Sequence, residues 1–90
     1  MKLEDALFNW LQIKLVADAR QDDQAAIDTL AFFAQILTED HGLSSFVIIK
    51  TDATMIHVKY EKDGRSKLQL FPRDRGEQLL ADIESNPKYN

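Results

Sequence analysis

The stretch from Tyr60 to Pro72, "YEKDGRSKLQLFP", decides which side chains of a sheet in this chain face inward and which face out. Asp63-Gly64, flanked by residues of strand character, is a strong hairpin signal. Residues opposite one another across a hairpin share a face, and a slip of one residue exchanges the faces. A two-residue turn pairs Lys62 with Arg65, Tyr60 with Lys67 and Val58 with Gln69, so each apolar residue meets a polar one. A three-residue loop, Lys62-Asp63-Gly64, with Gly64 left-handed after a type I turn, pairs Val58 with Leu68, Ile56 with Leu70 and Tyr60 with Ser66. The longer loop makes one side continuously apolar. It predicts a core face of Ile56, Val58, Leu68 and Leu70.

The opposite face then sets Lys59 by Lys67, His57 by Gln69 and Met55 by Phe71, and reads as solvated except at its Met55–Phe71 end. The preceding strand, Phe46–Lys50, is apolar on both sides. A loop of Thr51-Asp52-Ala53 would place Ile48 beside Ile56 and Ile49 beside Met55. Ile49, Met55 and Phe71 become a second apolar row. Left wet, that row forgoes roughly 1.5–3 kcal/mol per side chain. It therefore needs a lid, either the first helix or another protein chain.

Helical periodicity runs from Leu3 to about Ala19. Leu3, Leu7, Trp10 and Ala17 share a side with Ala6 and Ile13, while Phe8, Leu11 and Leu15 widen the arc beyond the ~100° of a single buried face. This helix asks for neighbours on more than one side. "ARQDDQ" ends it, and Asp22 or Asp23 can cap a second helix. Ile27, Leu30, Ala31, Ala34 and Leu37 form that helix's expected buried stripe, with Phe32 and Ile36 nearly opposite. Gly42 suits the left-handed position after its last turn, letting Leu43 fold back on Leu37. Strands are expected at Phe46–Lys50, Met55–Glu61 and Lys67–Phe71. "DRGEQLLADIES" reads as a last helix, with Asp74 and Glu77 at capping-box spacing and an apolar face of Leu79, Leu80 and Ile83. "NPKYN" reads as a frayed tail at about 86–90. The prediction is one domain over residues 1–90, α+β, in the order ααβββα. Its sheet is a three-stranded antiparallel meander of order 1-2-3, with helices 2 and 3 on the Ile56/Val58 face.

Composition narrows the function. The 90 residues hold no cysteine and carry a net charge of −4. That excludes a disulfide scaffold, a thiolate metal site and a cysteine nucleophile. The start, "MKLEDALFNW", lacks the basic and then apolar pattern of a signal peptide, and no apolar run reaches the ~18 residues of a membrane span. A cytoplasmic protein without membrane contact is expected. The acidic balance weighs against phosphate backbones unless bases cluster.

Chemistry finds little to stand on. His41 and His57 lack the spacing of metal ligands, so no metal or cofactor is expected. "EDH" at Glu39–His41 is a tempting triplet, but neighbours on a helix point in different directions. Ser44, Ser45, Ser66 and Ser85 have no elbow motif. The acid pairs read as caps and solvated faces, and the three glycines are too scattered for a phosphate loop. No catalytic residue is proposed and the chain reads as a non-enzyme.

From Asp22 onward the αβββα order resembles the double-stranded RNA-binding domain. The resemblance implies RNA contact through Lys50, Arg73 and Arg75, near "KTDAT" and "PRDRGEQ". The family's lysine cluster at the last helix start is missing, and Asp74 and Glu77 lie among the arginines. The order also looks like small secretion-chaperone-type and regulator-type domains that bind other proteins. Over its whole length the chain is similar to short cytosolic proteins of Gram-positive bacteria, a likeness that brings no activity or site residues with it. The leading expectation is a protein-interaction or regulatory module, a homodimer or the partner of another protein, through Trp10, Phe32, Ile36, Ile49, Met55 and Phe71. RNA binding is the alternative. A small enzyme or ligand-binding domain is the third reading, and it requires a deep pocket lined by acids or His57.

Overall fold

The computed structural model describes residues 1–85; the expected frayed tail lies outside the described residues. The chain forms α1 (Leu3–Ala19), α2 (Gln24–Gln35) running into a π-helical turn (Ile36–Asp40), β1 (Leu43–Thr51), β2 (Met55–Lys62), β3 (Arg65–Pro72), α3 (Arg73–Gly76) and α4 (Gln78–Ser85). The strands make an antiparallel meander of order β1-β2-β3. The fold is α+β, in the expected element order, except that a short helix precedes α4.

Local chemistry explains the boundaries. The Asp23 carboxylate accepts from the Ala26 amide at 3.1 Å and caps α2. Thr38 Oγ1 bonds back to the Ala34 carbonyl at 2.8 Å, and the helix widens until the His41 amide reaches the Ile36 carbonyl. Gly42, at φ 68°, then turns the chain so that Leu43 lands in the core with Leu37. Asp74 and Glu77 do not form a capping box. The residue before α3 is Pro72, and the Asp74 carboxylate accepts from the adjacent Arg75 amide. Glu77 is instead taken by Arg73, Nε to Oε2 at 3.0 Å.

Loop length in the second hairpin is corrected. Asp63 (φ 55°) and Gly64 (φ 76°) are both left-handed, as a two-residue type I′ turn demands. Lys62 pairs with Arg65, Tyr60 with Lys67, Val58 with Gln69 and Ile56 with Phe71. Turn chemistry therefore overrides apolar matching. The mismatch is tolerable because β3 is an edge strand, and the side chains it sets beside Val58 and Tyr60 are the half-buried Gln69 and the exposed Lys67. Ile56 and Val58 are fully buried as expected, whereas Leu68 and Leu70 are 52% and 38% exposed. Phe71, assigned to the second row, is buried beside Ile56.

The first hairpin is corrected too. Ile48 pairs with Val58 and Thr51 with Ile56, with a bulge between Ile48 and Lys50 that leaves Ile49 as the extra residue. The second apolar row does not form, because Met55 pairs with Pro72 and Phe71 points the other way.

Helix α1 is the centre of the molecule, in keeping with its wide apolar arc. Leu7, Trp10 and Leu11 pack with Ile56, Val58, Tyr60 and Phe71 of the sheet. Trp10 meets Phe46 edge-on at 5.2 Å, and Phe8 meets Phe71 at 5.6 Å. Further along, Ile13, Val16 and Ala17 pack with Ala26, Leu30 and Phe33 of α2 and with Leu79, Leu80 and Ile83 of α4. So α1 shares the Ile56/Val58 face with the expected α2, whose Leu30, Phe33 and Ala34 and following Leu37 join the same cluster, and with α3 at Gly76; it is no lid for the other face. The α2 stripe is also displaced: Leu37 is buried and Leu30 half-buried, while Ile27 and Ala31 are exposed. Gly76 lets α3 approach closely, since a Cβ there would lie 2.9 Å from the Ile56 side chain.

Candidate protein-contact surface

The corrected register creates a surface. Along the outer face of the sheet, one row runs Val47–Lys59–Leu68. The next sets Ile49 and Lys50 of the bulge opposite His57, which pairs with Leu70. Val47, Ile49, Leu68 and Leu70 are 38–53% exposed. The four stand as two aliphatic rails on the edge strands, with Lys59 and His57 of β2 on the midline between them. Among the described residues, the core cluster that holds Leu7, Trp10 and Leu11 includes none of the four.

One end of the face is pinned. Asp52 Oδ1 accepts from the Thr54 and Met55 amides at 2.9 and 2.7 Å, and His57 Nε2 donates to its Oδ2 at 2.8 Å. His57 was expected to be solvated; its side chain is 17% exposed and occupied by this bond. The His57 bond first, and the two amides after it, hold the Asp52 carboxyl well below the usual carboxylate range. Arg73 ties the same turn to α3, donating from Nη1 to the Asp52 carbonyl at 3.1 Å and from its amide to Thr54.

The other sequence candidates scatter. Trp10 and Phe71 are core residues, and Ile36 and Met55 are half-buried. Phe32 is 58% exposed on α2, edge-on to Phe33. Ile49 alone of the six belongs to the outer face as an exposed residue. Of the RNA candidates, Arg73 is held by Glu77 and the Asp52 carbonyl, and the Arg75 guanidinium sits 5.6 Å from the Phe8 ring centroid. Lys50 is exposed, beside the bulge. Neither histidine joins a group of three potential metal ligands among the described residues.

Sequence reasoning placed Lys59 on the outer face but missed Leu68 and Leu70 as surface residues and did not single out Val47. The signal that could have found them is the Asp-Gly pair itself, whose preference for a two-residue turn sends both leucines outward. Comparison with protein-family models, curated proteins and solved structures finds no match. No helix among the described residues is long and apolar enough to cross a membrane.

Proposed function

We propose that this protein is a non-enzymatic interaction module whose working surface is the outer face of its sheet. The observation that carries the reading is the cluster of Val47, Ile49, Leu68 and Leu70, all substantially exposed on one side of a three-stranded sheet. Scattered apolar side chains on a surface are ordinary, but four large aliphatic side chains gathered as two pairs on one sheet face mark a contact site. The local conflict supports it further: a one-residue longer loop would have buried both leucines, and Asp63-Gly64 enforces the register that exposes them.

The test is photo-crosslinking in the cells that make the protein, with benzoylphenylalanine at Val47 or Leu68 and, as controls, at Thr29 or Asp82. The reading expects a discrete adduct from the two sheet positions, suppressed by excess wild-type chain but not by an Ile49→Asp/Leu70→Asp competitor. Equal yields from the helical controls, or no adduct from the sheet, would contradict it.

A further inference from the structure

The charges are segregated by layer. Residues 43–72, the sheet and its turns, carry five Lys and Arg against three Asp and Glu, whereas residues 1–42 carry three against eight. Of the five bases, Lys50 and Lys59 stand at outer-face positions, while Lys62, Arg65 and Lys67 share the register of Val58 and Phe71. None of Lys50, Lys59, Lys62, Arg65 and Lys67 has an ion-pair partner among the described residues. On the outer face Glu61 takes the Ser66 hydroxyl at 3.2 Å and Asp52 is occupied by His57. Lys59 is exposed with an aliphatic residue on either side, Val47 and Leu68. A flat partner surface that buried those rails would strand its ammonium without a counter-charge, a desolvation penalty that opposes binding.

Resting on the reading of this face as a contact surface, we infer that its occupant is an amphipathic helix of another protein, bearing a carboxylate stripe that meets Lys59 between apolar shoulders that meet the two rails. The dimensions agree. The rails lie two strand spacings apart, about 10 Å, which is the width of an α-helix with its side chains. A second copy of the chain fits worse. Stacking two outer faces so that the rails meet sets Lys59 against its own symmetry mate when the two-fold runs along the strands. It sets Lys59 against His57 when the axis runs across them. Nucleic acid fits worse as well, because the face carries no Phe, Tyr or Trp on which bases could stack.

The probes are three hydrocarbon-stapled 14-residue helices, alike in their apolar shoulders and differing only in a central stripe of Glu, Gln or Lys. Each is titrated into the full chain, with affinity read by fluorescence anisotropy and location by amide chemical shifts. The inference expects shifts at Val47, Lys59 and Leu68, binding of the Glu helix at least about tenfold tighter than the Gln helix, and the Lys helix weakest. Lys59→Glu is expected to invert the Glu and Lys ranking while leaving the melting temperature in place. Equal binding of all three helices to the sheet would overturn the acidic-stripe inference yet leave the contact-surface reading standing. Absence of shifts on the outer face would overturn the inference, and the crosslinking result would then judge the broader reading separately. A duplex or single-stranded RNA that shifts the same residues at lower concentration than the Glu helix would overturn it. So would sedimentation showing a dimer abolished by Leu68→Lys.

Discussion

The two faces of the sheet are built from similar material and put to different use. Inward, Ile56, Val58, Tyr60 and Phe71 are all at or below 9% exposure, sealed by Leu7, Trp10 and Leu11. Outward, four aliphatic side chains of comparable size stand in solvent around a lysine. The same turn produces both, because Asp63-Gly64 commits odd positions of β2 and even positions of β3 to one side. The lesson is that a small domain can forgo burial at an edge strand when a tight turn and a well-filled core elsewhere fix the register. The residues it leaves out are then available for contact.

The sharpest contrast is energetic. Ile56→Ala should destabilise the fold by about 2–5 kcal/mol, since it opens a cavity under α1 and α3. Ile49→Ala and Leu68→Ala should each cost no more than about 0.5 kcal/mol. Denaturant melts of the three variants check this, and equal losses would show that the outer face is covered. At the turn, Gly64→Ala should cost about 1 kcal/mol, because a β-carbon is strained at its left-handed backbone. Asp63→Asn should be neutral or slightly stabilising, as Asn is favoured at the first position of this turn.

The smallest effect concerns the pinned end of the face. The Asp52 carboxyl is depressed in the folded chain, so its stabilising contribution is complete above the unfolded carboxylate value near 4 and fades as pH falls through the lower folded value. Asp52→Asn should therefore be less stable than wild type at pH 7. The gap should narrow in melts taken from pH 4 downward. A gap that widens on acidification would contradict the assigned bonds.

Much of this architecture was legible in the residues. Asp23 and Gly42 announced the ends of the second helix, the wide apolar arc of α1 announced a helix with neighbours on more than one side, and the meander followed from three β-rich segments. The register was not legible from apolar matching, because matching assumes that both strands of the hairpin are covered. Lys67 and Gln69 show that β3 is not. The contact surface was hidden for the same reason: Leu68 and Leu70 look like core residues in any scheme that maximises burial. The Asp52–His57 bond escaped notice as well. "KTDAT" lacks a glycine, and its turn is closed by an Asx carboxylate, a device that leaves the loop length open until the strands are placed. On α2, Ile27 and Ala31 stand outside the core, which takes Ala26 and Phe33 along with the expected Leu30 and Ala34.

Cross-strand contacts in the nuclear Overhauser spectrum of the β2–β3 hairpin test the register most directly. The expected pattern places the backbone of Lys59 across from Leu68 and that of His57 across from Leu70, with neither leucine side chain touching Leu7 or Leu11. A pattern placing Val58 across from Leu68, with either leucine touching Leu7 or Leu11, would contradict the account and remove the outer surface.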